Sequence, residues 1–213
     1  MRPLTVRRLG VISYAEGLDL QRQLVTQRIA GDIDDTLLLL QHTHVLTLGV
    51  KAGASRQHVL ATPEKLQALG VELHETGRGG DVTYHGPGQV VGYPIISLKP
   101  DRCDVHKYVR DLEEVMIRVT RDYGFDASRI AGLTGAWVEA EKIGAIGVRI
   151  QRWVTSHGFA YNVATDLDFF KLIVPCGITD RGVTSLRKLT GRDISAAEAE
   201  DRLEDQFRTV FGY

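Results

Sequence analysis

The sequence predicts an α+β fold, a single domain over residues 1–213 in which a mixed β-sheet is flanked by helices. Three observations carry this. Strand-like segments dominate and gather in glycine-rich stretches. Helical segments fall between them without the regular strand–helix alternation of a doubly wound parallel sheet. No linker rich in Pro, Gly or Ser divides the 213 residues, a length that one hydrophobic core can span.

In chain order, alternating Leu4, Val6 and Leu9 mark a first strand. Residues 14–30, YAEGLDLQRQLVTQRIA, carry Leu18, Leu20, Leu24, Val25 and Ile29 at roughly helical spacing. DTLLLLQH reads as a buried strand and HVLTLG as another. TPEKLQALG is a short helix, with Thr62 as cap, Pro63 in the first turn and Gly70 at the stop. VELHET, DVTYHG and QVVGYPIISL follow as strands separated by glycines. The longest helix is DVHKYVRDLEEVMIRVTRDYGF, capped by Asp104. Its stripe of Val105, Tyr108, Val109, Leu112, Met116 and Val119 reads as core packing. Glycine-rich strands return in GAWVEA, KIGAIGVRI and WVTSHGFAYNV. A final helix opens at SAAE, where Ser195 and Glu198 have the spacing of a capping box and Leu203, Phe207 and Val210 face inward.

Composition narrows the function. A formal net charge of -1 gives no global attraction to nucleic acid or to a membrane surface. No stretch approaches the run of about 20 apolar residues that a membrane span needs, and MRPLTVRRLG has no apolar core of signal-peptide length. Two cysteines, Cys103 and Cys176, are too few for a disulfide framework and match no zinc spacing. A reducing, cytoplasmic setting is expected.

Residues 75–94, ETGRGGDVTYHGPGQVVGYP, hold six glycines. They allow close backbone approach to a ligand. Neither a dinucleotide fingerprint nor a P-loop lysine is present, so a loop and strand lining a groove is the expectation. Arg78 between Gly77 and Gly79 exceeds what a plain turn needs, and Tyr84 and His85 add aromatic and titratable groups. Further on, IVPCGIT sets Cys176 between Pro175 and Gly177. The residue types allow a small core residue or a nucleophile. A nucleophile needs its thiolate populated by a nearby base, cation or helix N-terminus. His85, His157 and Lys142 are candidates, which spacing does not rank.

Five stretches, RGGDVTYHGPGQVVGYPI, KIGAIGVRI, HGFAYNV, IVPCGI and GVTSL, together resemble the lipoate-pathway octanoyltransferases, in the family's order. The one departure noted is Thr43, where the family pattern suggests a proline. The resemblance implies the fold of the biotin and lipoate protein ligase catalytic domain. It implies transfer of an octanoyl chain from octanoyl-acyl carrier protein to a lysine of lipoyl domains, those of 2-oxoacid dehydrogenase complexes and of glycine cleavage H protein. An acyl-thioester on Cys176, paired with Lys142, is implied, with no cofactor, metal or ATP. Implied substrate contacts are Arg78, Gly79, Gly80, Asp81, Val82, Thr83, Tyr84 and His85, then Ala145, Ile146 and Gly147, then Gly158, Phe159 and Ala160. Backbone N–H groups near Gly177 or Gly147 are candidate oxyanion donors, and Ile146 and Phe159 candidate borders of an acyl slot. Carrier proteins of this kind are acidic, which makes Arg149, Arg152, Arg181, Arg187 and Lys188 candidate docking residues. Cys103 lies outside every matched stretch. The rival readings are an ATP-dependent ligase on the same fold, a non-catalytic binding module and a cysteine hydrolase.

Overall fold

The computed structural model describes residues 2–51, 56–174 and 181–213. The elements run β1 (Leu4–Ile12), α1 (Tyr14–Ala30), β2 (Asp35–His42), β3 (Val45–Leu48), α2 (Pro63–Ala68), β4 (Glu72–Glu75), β5 (Val82–His85) and β6 (Gln89–Ile95). There follow α3 (Val105–Asp122), β7 (Ala127–Ser128), β8 (Ala136–Val138), β9 (Glu141–Gln151) and β10 (Val154–Asn162). A 3-10 helix (Leu167–Leu172), β11 (Gly182–Val183), α4 (Leu186–Thr190) and α5 (Ala196–Phe211) complete the order.

The main sheet has the order β1-β2-β6-β10-β9-β8-β7, with β11 beside β9. It is mixed, as expected: β1/β2 and β11/β9 are parallel and the other pairs antiparallel. A smaller sheet, β4-β3-β5, stands apart from it. The apolar run of β2 reflects burial on both faces. Leu37 and Leu39 join the core formed with α3 and α5, whereas Leu38 and Leu40 join the one formed with α1. All four are 0% exposed, and burial stabilises by roughly 1.5–3 kcal/mol per side chain. Among the described residues, no helix is long and apolar enough to cross a membrane.

Several local expectations shift. In the apolar stripe of α3, Tyr108, Leu112, Met116 and Val119 are buried and Val109 is partly buried, whereas Val105 occupies the first turn and is 43% exposed. In α1 the inward face is Tyr14, Gly17, Gln21, Leu24 and Val25. Gln21 is buried because its Oε1 accepts from His157 N at 2.7 Å. At α5, Ser195 Oγ accepts from Glu198 N, but the reciprocal capping box forms at α1, between Ser13 and Glu16. The 3-10 helix over LDFFKL was not legible as a helix. It buries Phe170 and Leu172 against the small sheet.

Gly92 shows how tightly β6 and β10 meet. It pairs with Phe159 across the strands, and a Cβ at Gly92 would lie 2.2 Å from the Phe159 ring. Gly92→Ala is therefore expected to force that buried ring off its rotamer, at a cost of about 1–3 kcal/mol. Urea unfolding of the two proteins measures this, and an unchanged midpoint would show that the ring moves freely.

Candidate active site

A cleft of about 380 Å³ opens where the glycine-rich loop crosses β9 and β10. Hydrogen bonds hold the loop on both sides. Gly79 N donates to Val148 O of β9 at 2.9 Å. Beyond the end of β3, Gly49 N, Val50 N and Lys51 N donate to Asp81 O, Arg78 O and Gly80 O. The approach to β9 requires Gly147, where a Cβ would come within 2.9 Å of Gly79 O. On β9 and β10, Ala145, Ile146 and Gly147 are the register partners of Ala160, Phe159 and Gly158. Three sequence segments thus form one continuous wall.

Arg78, Gly79, Gly80, Asp81, Val82, Thr83, His85, Lys142 and both strand triplets all line this cleft. Tyr84 is not among the lining residues. It joins the small-sheet core, its hydroxyl 2.7 Å from His44 Nδ1 and its ring stacked on Phe169. The alternation of strand side chains turns it away from His85. Arg78 is only 6% exposed. Its guanidinium donates to Thr47 O, Thr47 Oγ1 and Gly79 O, so one side chain ties the loop to β3. Asp81 accepts from Val82 N through Oδ1, and its Oδ2 lies 2.6 Å from His58 Nδ1.

Burial, with this local positive charge adding to it, keeps His85 and His157 neutral. The His85 pKa falls to about 3, through desolvation first and then through His42, Arg78 and His157. His157 falls to about 4, again by desolvation, with Arg78, Arg149 and Arg22 adding to it. His42, also at about 4, lies outside the cleft lining, with Nε2 2.7 Å from Tyr93 OH. His157 lines the cleft at a left-handed φ of 54°, its ring edge-on to Tyr93.

Lys142 enters the cleft from β9 with its Nζ 4.8 Å from the centre of the Trp137 ring. Arg181 approaches the same ring at 5.9 Å. Gly135 packs beside the lysine stem, and Gly135 N donates to the fully buried Glu113 Oε1 at 2.9 Å. Glu113 is also held by Arg110 and Arg129. Val183 of β11 is the register partner of Lys142, and Thr184 N donates to Lys142 O at 3.0 Å. The described chain stops at Val174, whose N donates to His58 O, and resumes at Arg181. Cys176 and Gly177 therefore lie outside the described residues. Cys103 is exposed and is not a lining residue. Among the described residues, no group of three or more His, Cys, Asp or Glu could hold a metal ion.

Sequence reasoning did not single out Gln89 and Asn162, which line the cleft and bond to one another. Both lie within matched stretches, RGGDVTYHGPGQVVGYPI and HGFAYNV, and that was the available signal. Tyr14, Tyr93 and the loop residues Gly132, Leu133 and Thr134 also line the cleft. Tyr93 lies within the first matched stretch, whereas nothing local marks Tyr14, Gly132, Leu133 or Thr134, which the tertiary fold alone delivers.

The fold is shared with solved ligases. A bi-partite lipoate protein ligase from Thermoplasma acidophilum, described with its E2 lipoyl domain, superposes with a TM-score of 0.73 at 18% identity, over 99% of this chain and 85% of that one. The biotin protein ligase of Aquifex aeolicus, in complex with biotin and ATP, gives 0.59 at 14% identity, over 98% and 70%. The fold is thus that of the catalytic domain of these lipoate and biotin protein ligases, and residues 13–208 match the lipoyl protein ligase A/B catalytic domain family. An octanoyltransferase of Chloroflexus aurantiacus is 53% identical over 99% of this chain and 95% of its own length. One of Myxococcus xanthus is 48% identical over 99% of this chain, which spans only 60% of that longer protein. The chain belongs to the octanoyltransferases of this family, and they are acyltransferases.

Proposed function

We propose that this protein moves an octanoyl group from octanoyl-acyl carrier protein to a specific lysine of a lipoyl domain, without ATP, through a thioester on Cys176. The observation that carries the reading is the position of Lys142. It stands in the wall of a mostly apolar cleft, in register with the strand that directly follows the Cys176 segment. The full chain, 1–213, acts as one catalytic domain in this reading, in the cytoplasm, with lipoyl domains of 2-oxoacid dehydrogenase complexes and glycine cleavage H protein as acceptors.

In the first step the Cys176 thiol gives up its proton, its sulfur bonds to the octanoyl carbonyl carbon, and the bond to the carrier sulfur breaks. The carrier leaves as a thiol. One thioester replaces another, so the step is nearly balanced and needs no nucleotide. In the second step the acceptor amine bonds to the same carbon, the bond to Cys176 sulfur breaks, and the nitrogen's proton passes by way of Lys142 to restore the thiol. The amide is the more stable product, which drives the sequence forward. Ile146 and Phe159 supply an apolar border for the acyl tail. Of the candidate carrier-docking residues, Arg187 and Lys188 already pair with Asp193 and Glu141. Arg149 and Arg152 are exposed and suit an acidic partner better.

The fold shared with ligases supports one alternative, activation of a free acid by ATP. Mixing the protein with octanoyl-acyl carrier protein alone separates the two. Peptide mass spectra are expected to show an octanoyl adduct on Cys176 that a lipoyl domain discharges. Acylation of the lipoyl domain only when ATP and octanoate are supplied would replace the transferase reading with the ligase one.

A further inference from the structure

The hydrogen-bond chain behind His85 starts from an atom that can only accept. Thr184 O takes a bond from Asn162 Nδ2 at 3.0 Å. Asn162 must then present Oδ1 to Gln89, whose Nε2 donates to it at 2.9 Å. The same Nε2 donates to a second acceptor-only atom, Tyr84 O, at 3.2 Å. Both amides are fixed in sense by these carbonyls, which leaves Gln89 Oε1 against His85 Nδ1 at 2.7 Å. That contact is a hydrogen bond only when Nδ1 carries the proton. A neutral imidazole has one N–H, so Nε2 keeps its lone pair.

Burial holds the ring neutral, and its neighbours add to the effect. Arg78 contributes positive charge, and Tyr14 stacks on the ring at 6.4 Å with His42 edge-on at 5.9 Å. His157 adds to the same effect, whereas the bond to Gln89 opposes it. Among the described residues, no carboxylate contributes to this shift. With a pKa near 3, His85 cannot keep a proton taken from an alkylammonium. What it offers is an acceptor.

We propose that His85 Nε2 accepts a hydrogen bond from the incoming lysine amine and so orients it, with Gln89 and Asn162 as positioning residues that lock the accepting tautomer. This rests on the transfer reading above. An attacking amine must aim its lone pair at the thioester carbon, and an acceptor that engages one N–H leaves that lone pair available. The opposite tautomer would donate to the lone pair and block attack. The chain ends at Thr184, whose N–H bonds Lys142 O. The orienting group and the proton-transfer group are thereby held through one backbone segment.

Long-range proton–nitrogen NMR of the wild-type protein tests the tautomer directly. It is expected to report Nδ1–H and an unprotonated Nε2 on His85, unchanged from about pH 5.5 to 8. A proton on Nε2 overturns the proposal. Kinetically, His85→Ala is expected to slow discharge of the Cys176 adduct to a lipoyl domain about 10–100-fold more than it slows adduct formation. Gln89→Glu keeps an acceptor at Nδ1 but adds a negative charge that raises the His85 pKa, so its discharge rate is expected to gain an acid limb absent from wild type. A wild-type protein that never forms the adduct overturns the transfer reading itself. An adduct that His85→Ala discharges at the wild-type rate overturns only this inference.

Discussion

Lys142→Ala is expected to slow formation of the Cys176 octanoyl adduct by about 10²–10⁴-fold, the range for loss of a positioned acid–base group. The reason is local. The lysine stem packs beside Gly135, and its ammonium lies over Trp137, so no neighbouring side chain on that strand can replace it without rebuilding the wall. Lys142→Arg separates the two roles that the proposal assigns. Arginine keeps a cation but stays protonated and cannot exchange a proton. Adduct formation is therefore expected to fall less in the arginine variant than in the alanine one. Discharge to a lipoyl domain, which needs a proton removed from the amine, is expected to fall about equally in both. Stopped-flow acylation followed by mass spectrometry resolves the steps. Wild-type rates for both steps in Lys142→Ala would remove Lys142 from the mechanism.

The second large effect is on stability in mild acid. His42, His85 and His157 have pKa values of about 4, 3 and 4 in the fold, against about 6.5 in an unfolded chain. Above pH 6.5 all three are neutral in both states and contribute no pH dependence. Below 6.5 the unfolded chain binds protons that the native protein refuses, so stability falls as pH falls, until the folded values are reached, about 4 for His42 and His157 and about 3 for His85. Each histidine is expected to cost on the order of 1–2 kcal/mol between pH 7.5 and pH 5. The exposed carboxylates with lowered pKa values, such as Glu16 and Asp104, act in the same direction, but below about pH 4.5. Urea midpoints at pH 7.5 and pH 5 measure the difference, and His157→Gln is expected to shrink it. A midpoint that is constant across this window would show that the three rings charge freely inside the fold.

Much of the fold was legible because its signals are local. Pro63 after Thr62, the β2 leucines and the stripe from Tyr108 to Val119 each state their structure within a few residues. The places that local pattern does not explain share another cause. Gln21 is buried because His157, far along the chain, donates to it. Glu113, an acidic residue fully buried within the α3 face, is satisfied by Arg129 and Gly135 from a different segment. Val105 is exposed because a first turn has no element against it.

The cleft divides in the same way. By itself the sequence determined which segments line the cleft, since RGGDVTYH, KIGAIGVRI and HGFAYN hold their residue types at contiguous positions. Tertiary structure decided how those segments meet: Ile146 opposite Phe159, Gly79 bonded to Val148, and Lys142 paired with Val183. It alone removed Tyr84 from the wall and set Gln89 and Asn162 behind His85. Residue type is written in the chain, whereas strand register and the direction of a buried amide depend on partners dozens of positions away. The proton on His85 Nδ1 is the clearest case, because carbonyls at residues 84 and 184 together dictate it.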